Sequence, residues 1–409
     1  MKAYKFRIYP SKQQEKQISH HLWIEKELWN EMLAFTKKTY SDYGKFPTKE
    51  TLRSFCKNNV LYSQVGQELV ERLSKSIWRM VALKKKGKEC GFPRFKSFDR
   101  MKSLNYPQSG FRLEKMCILP EGNMHRMLNA QAFNNCRAEL DKSSACGPML
   151  KLKVTPFGEI NIKQHRLIKG IIKTLSLKRE PSGKWFAVFC VEETPPVKAT
   201  NGGARVGIDL GLQTLATLSD GTIIKNPRHL KNHEEKLAKL QHRLSMAKRG
   251  SKNRRKAKRK VSIAYEKVAN IRADFLHKTS SSLVNSYSLI AMEELASREM
   301  AEQNFGKSIN DAGWGMFANM LRYKAESAGC QVVFVNPKNT TQECSNCHEI
   351  AKKDLTIRVH NCPFCNLVMD RDLNAAHNIL IRATAGHAGS NACGDVSRKT
   401  SVKQETHTF

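Results

Sequence analysis

The opening residues, MKAYKFRIYP, alternate Tyr4, Phe6 and Ile8 with Lys5 and Arg7, the period of a strand with one buried face, and Pro10 ends it. Ser11 is placed to cap a long helix in which Ile18, Leu22, Trp29 and Leu33 share one face. A second helix is expected from Thr48. A third, from about Ser63, carries an apolar stripe of Val65, Leu69, Leu73, Ile77 and Met80. From Met149 the pattern turns to strands: LKLKV, EINI, IIKTLSLKRE and KWFAVFCVEE, separated by the turn signals PFGE and PSGK. They predict a small β-barrel or curled sheet that the N-terminal strand completes.

Past the linker TPPVKATNGGA, the run VGIDLGLQTLATLSDGTII reads as two or three consecutive strands turning at Gly211 and at Asp220 and Gly221, and a new domain starts there. A long helical stretch follows from about Arg228 to Val284, broken at Gly250. SLIAME is strand-like, one helix is expected from roughly Lys307 to Ala328, CQVVFVNP is a β-run, and DRDLNAAHNILIRA resumes as helix. The closing AGHAGSNACGDVSRKTSVKQETHTF is polar and aperiodic and is expected to be disordered.

Composition sharpens this picture through charge. Lys and Arg total 70 against 37 Asp and Glu, a formal charge of +33, and a field that positive attracts polyanions, nucleic acid above all. Two segments concentrate it. GFPRFKSFDRMKS mixes Phe92, Phe95 and Phe98 with Arg94 and Lys96, a combination that stacks on bases and pairs with phosphates, although aromatics anchoring a loop to a core would look the same. Residues 248–260 hold nine Lys or Arg and no acid, Lys252, Arg254 and Arg255 among them, and read as a backbone-binding stripe. With no long apolar run, membrane insertion is not expected.

Eight of the twelve cysteines are scattered, which favours a reducing, cytoplasmic setting over disulfides. The other four, Cys344, Cys347, Cys362 and Cys365, form two Cys-x-x-Cys pairs with the spacing of one tetrahedral structural zinc site. His348 and His360 flank the pairs, but four thiolates fill such a site without them. The acids beside it therefore need another role. Asp209 ends one apolar strand, Glu293 ends another, and Asp372 lies in the first turn of a helix. Acids from two strand ends and a helix start can meet above one sheet, where an RNase H-like nuclease holds two Mg²⁺ or Mn²⁺ ions. Glu294 and Asp370 are the nearest rivals; adjacent strand residues face opposite ways, so only one of Glu293 and Glu294 can reach the metals, and Asp370 can serve the helix start.

The ordered set YKFRIYP, GFPRFKS, VGIDLGLQTLATLSDG, EKVANIRADFLHKTSSSLV, KSINDAGWGMF, LRYKAESAGCQVVFVNPKNTTQECSNC and CPFCNLVMDRDLNAAHNI resembles the TnpB family of insertion-sequence proteins, which is similar to the compact type V CRISPR effectors. The resemblance implies a multidomain α+β protein that uses a guide RNA to cut target double-stranded DNA. Its expected parts are a wedge-like β-barrel (1–10 and 104–199), a helical recognition lobe (11–103), a RuvC-type nuclease (204–337 and 366–385) whose catalytic acids match Asp209, Glu293 and Asp372, a zinc module (338–365) and a disordered tail (386–409). It also points to Gln67 as a residue facing the short flanking DNA motif that such proteins read. His348 and Asn366 stand where glycine commonly follows each cysteine pair in the family, and residues 121–147 form an insertion with no assigned role. The rival readings are a binding-only repressor that never cuts, and a strand-transfer transposase, which the lack of a tyrosine or histidine-pair constellation disfavours.

Overall fold

The computed structural model describes residues 1–57, 60–118, 124–126, 149–193, 202–295, 300, 302, 306–352, 354 and 357–388. These divide into two compact units, Met1–Thr194 and Pro195–Phe409.

The first unit opens on β1 (Lys2–Tyr9), whose Tyr4, Phe6 and Ile8 are buried while Lys5 points out. Ser11 caps α1 (Lys12–Tyr43) in a reciprocal box with Gln14, and Gly44, at φ 64°, ends it. After α2 (Lys49–Ser54) and α3 (Ser63–Lys85) come β2 (Ser103–Tyr106), β3 (Phe111–Ile118), β4 (Met124–Arg126), β5 (Met149–Val154), β6 (Gly158–Lys163), β7 (Ile171–Arg179) and β8 (Trp185–Glu192). All pair antiparallel in one sheet of order β2-β7-β8-β1-β6-β5-β3-β4, so the N-terminal strand sits at the centre. The sheet curls: Phe111 of β3 meets Phe189 of β8 at 6.5 Å between ring centroids, and the Tyr106 hydroxyl at the β2 edge donates to the Thr155 carbonyl just past β5. Strands thus begin earlier than the Met149 pattern predicts, because the short β2 buries only Leu104 and Tyr106. Helices and sheet share one core, in which Trp29, Leu33, Leu69 and Leu73 join Phe6, Leu104 and Phe189. Of the 121–147 insertion, only β4 falls among the described residues.

The second unit is built on a five-stranded sheet of β9 (Ala204–Leu210), β10 (Thr214–Leu218), β11 (Ile223–Lys225), β12 (Tyr287–Glu293) and β13 (Gln331–Val335), in the order β11-β10-β9-β12-β13. β9, β12 and β13 run parallel. Between β11 and β12 lie α4 (Glu234–Met246) and α5 (Lys252–Ser286); α6 (Gly306–Ala312) and α7 (Trp314–Ala328) precede β13. The single helix expected over Lys307–Ala328 is two. Gly313, at φ 71°, closes α6 by donating to the Ile309 carbonyl and starts α7 in a new direction. β14 (Val359–Asn361) and β15 (Val368–Asp370) form a small hairpin ahead of α8 (Arg371–Ala388). The helix carries on into the segment expected to be a disordered tail, as far as Ala388; residues 389–409 lie outside the described residues.

Strand alternation decides which side chains meet. Val206 and Ile208 of β9, with Ile290 and Met292 of β12, pack against Leu276, Trp314, Phe317 and Leu321 of α5 and α7. Leu289 and Ala291 face the other way, onto Ile379 and Ala383 of α8. Gly207 points to that side too: a Cβ there would lie 2.0 Å from the Ala376 carbonyl oxygen, so α8 rests on bare β9 backbone. No helix among the described residues is long and apolar enough to cross a membrane.

Candidate active site and cysteine module

Asp209 is one residue short of the end of β9 and Glu293 is the last of β12. The parallel register pairs Ile208 with Met292, so the two acids follow on neighbouring strands and, by alternation, face α8. Asp372 enters from α8 itself, in its first turn. Burial pushes the Asp209 carboxyl well above the usual range, and the charges of Glu293 and Asp372 push it further, with Arg371 opposing. Glu293 is raised by burial and eased by a hydrogen bond from the Thr340 hydroxyl. The acids of the sequence prediction are therefore near enough to disturb one another, in a looser group than the thiols described below.

Asp370 caps α8: its Oδ1 accepts from the backbone N–H groups of Asp372 (2.8 Å) and Leu373 (3.1 Å). That leaves the Asp372 carboxylate to Arg371 (3.1 Å) and Arg358 (3.4 Å). Glu294 is exposed, and its N–H donates to the Val335 carbonyl.

The four cysteine sulfurs all lie within 4.8 Å of one another, with Cys344 to Cys365 at 3.6 Å and Cys347 to Cys362 at 3.5 Å. Sulfurs at the corners of a tetrahedron with ~2.3 Å metal bonds stand roughly 3.8 Å apart, so the quartet needs little adjustment to hold zinc. The two halves match. His348 (φ 62°) donates its N–H to the Cys344 carbonyl and Asn366 (φ 56°) to that of Cys362, each making the left-handed turn that glycine would make more easily. Neither His348 nor His360 joins the thiol group.

Sequence reasoning missed the residues that lock this module to the acids. Asn374 accepts from the Ser345 N–H (2.9 Å) and donates to the Glu343 carbonyl (2.7 Å), while Asn378, one turn on, donates to the carbonyls of Thr340 (2.9 Å) and Glu343 (2.7 Å). Arg382 continues the row, donating to the carbonyls of Asn336 and Lys338. The available signal was two fully buried asparagines four residues apart in a helix otherwise lined by alanine and isoleucine.

The expected nucleic-acid contacts divide. Arg94 and Gln67 in the first unit, and Lys252 and Arg255 in the second, are exposed. Lys96 is half-buried, its ammonium 3.4 Å from the centre of the Trp29 ring and its backbone held at both ends by the Asn30 side chain. Burial, then Arg72, draws its pKa down to about 8. Arg254 is committed to the carbonyls of Leu244 and Ala247, at 2.9 Å each, where it closes the end of α4.

Residues 188–304 match the OrfB_IS605 family, described as "Probable transposase", and residues 314–379 match the "Cas12f1-like, TNB domain". Residues 1–45 match a "Helix-turn-helix domain", although here they form one strand and one unbroken helix. A Streptomyces pristinaespiralis protein provisionally named RNA-guided DNA endonuclease is 30% identical over 99% of this chain and 96% of its own length. Its Escherichia coli counterpart, provisionally named RNA-guided DNA endonuclease InsQ, is 28% identical over 99% and 97%. The structure described as the Cas12f1-sgRNA-target DNA complex superposes with a TM-score of 0.53 at 14% identity, covering 92% of this chain and 98% of that one, so the two share a fold.

Proposed function

The chain belongs to the TnpB family of insertion-sequence proteins, and from that membership we propose that it is an RNA-guided DNA endonuclease with a RuvC-type centre formed by Asp209, Glu293 and Asp372. The observation that carries the reading is the placement of Asp209 and Glu293 at adjoining ends of parallel strands, on the face against which the helix bearing Asp372 is pressed. Ligand sites in open α/β sheets lie at such carboxyl ends.

The donor set fits divalent metal. Hard carboxylate oxygens gather where burial and mutual repulsion hold Asp209 protonated, and a cation there would relieve both. Bound Mg²⁺ or Mn²⁺ would supply the Lewis acidity that activates water and stabilises the leaving oxygen of a phosphodiester. The protein supplies the fixed frame. Buried Asp209 cannot swing into solvent, Thr340 fixes the Glu293 carboxylate, and Arg358 and Arg371 hold Asp372 while offering positive charge to an incoming phosphate. The thiol quartet would hold a structural Zn²⁺ with a closed coordination sphere, a zinc ribbon that folds the module and takes no part in the chemistry.

The first unit then serves as wedge and recognition lobe, with Arg94 and Gln67 facing nucleic acid, and in the second Lys252 and Arg255 present an exposed cationic start to α5. Base pairing with the guide supplies sequence choice, on DNA in the bacterial cytosol. Protein purified with its own RNA is expected to cut matching duplex in Mg²⁺. Asp209→Ala should keep DNA binding and cut at least ~100-fold more slowly. An unchanged cutting rate in that variant refutes the assigned centre, and binding without cleavage in any divalent metal returns the chain to the repressor reading.

A further inference from the structure

On the side of the sheet away from α8, a cavity of about 220 Å³ opens between the ends of β9 and β12 and the first three turns of α7. Glu293 borders it, so its mouth adjoins the proposed catalytic acids. The walls are apolar: Met292, Ala318, Phe334 and the face of Trp314. The rim is polar, with Asn319 and Arg322 exposed, and the Arg322 guanidinium lies 4.0 Å from the centre of the Phe334 ring. Trp314, Ala318 and Arg322 fall four residues apart and so line a single stripe of α7.

One wall group lacks a partner. Trp314 is 5% exposed, and its indole N–H is buried with no hydrogen-bond acceptor. Buried donors are nearly always paired, and an indole left alone costs stability that a ligand acceptor would return. The start of α7 also has no side-chain cap at Gly313, and Gly315 from its first turn lines the cavity.

We propose that this cavity receives one unpaired nucleobase of the DNA strand being cut, next to the scissile phosphate. The size is below that of ordinary small-molecule pockets, which suits a fragment such as a single base and excludes a base pair. The chemistry selects the base over its phosphate. Two carboxylates, Glu293 and Glu294, border the cavity and repel an anion, whereas a base offers flat faces to Phe334 and Ala318 and a carbonyl or ring nitrogen to the Trp314 N–H. Arg322 and Asn319 are placed to meet its polar edge. Seating the base would fix the adjoining phosphodiester against Glu293, so Trp314 is a positioning residue. This inference rests on the nuclease reading and adds a substrate subsite to it.

The test uses the full ribonucleoprotein and matched DNA in which each nucleotide around the cut is replaced in turn by an abasic residue. The parent protein is expected to slow by about 10-fold at one position only. Trp314→Phe, which keeps the ring and removes the N–H, should slow cutting of intact DNA by about 10-fold and cut the sensitive abasic substrate at the parent rate, within about 2-fold. Ala318→Leu fills the cavity from α7 without touching the indole and should give the same pattern, which keeps the outcome readable if Trp314→Phe folds poorly. A flat abasic scan with normal cutting overturns the subsite and leaves the endonuclease standing. Sensitivity to a neutral methylphosphonate, with none to base removal, also overturns it and assigns the cavity to phosphate. No cutting by the parent on any substrate counts instead against the nuclease reading.

Discussion

Glu25 shows how far one residue can depart from its solution chemistry. It is buried on α1 beside Arg72, whose guanidinium lies 2.6 Å away, and burial outweighs that partner and raises its pKa to about 7. In the unfolded chain the same carboxyl titrates near 4.5. Between those values the folded state holds a proton that the unfolded state gives up, so its stabilisation is complete below 4.5 and lost as pH rises through 7. The loss amounts to on the order of 3 kcal/mol. Urea midpoints measured from pH 4.5 to 7.5 should fall for the parent protein and fall much less for Glu25→Gln; parallel slopes would place the titration elsewhere. At this scale the sequence was partly legible. Asp209 and Glu293 stood out because each closes an apolar strand, and the left-handed turns at His348 and Asn366 followed from their place after the cysteine pairs. Thr340, Asn374 and Asn378 did not stand out, since each acts on a partner 29 or more residues away, beyond any local pattern. Lys96 and Arg254 read as phosphate contacts because spacing reports charge and says nothing of a tryptophan or a helix end waiting within the same fold.

Among the elements, the contact between β9 and α8 matters most, because it sets the distance from Asp209 to Asp372. Gly207 makes it possible. Gly207→Ala would drive a methyl group into the Ala376 carbonyl, and such overpacking costs ~1–3 kcal/mol. The expected result is a melting temperature lower by about 5 °C and cleavage impaired more than DNA binding, while Gly202→Ala, with open space at its Cβ, changes neither. Equal behaviour of the two variants would show that the helix can retreat without harm. Periodicity revealed α8 and β9 as elements but not their closeness, which depends on a missing side chain. The division of α6 from α7 escaped for a related reason: apolar spacing runs straight through Gly313, and only its left-handed backbone breaks the helix.

The whole molecule is dominated by its charge of +33, and affinity for a matched nucleic acid should fall by ~10³-fold or more between 50 and 200 mM salt. A shallow salt dependence would mean that few of those cations meet phosphate. The antiparallel curled sheet and the mixed sheet were both foreshadowed by strand runs, yet the central position of β1 depended on pairings more than 150 residues apart. The row Asn374, Asn378 and Arg382 has a wider consequence. Because the helix carrying Asp372 is also the post to which the cysteine module is tied, maturation has an order: a newly made chain must capture its ion before its cutting edge can be trued. Stripping zinc with a chelator should silence cleavage while guide RNA stays bound, and resupplied zinc should restore it. Cellular zinc supply would thereby govern how often the element's nuclease is armed.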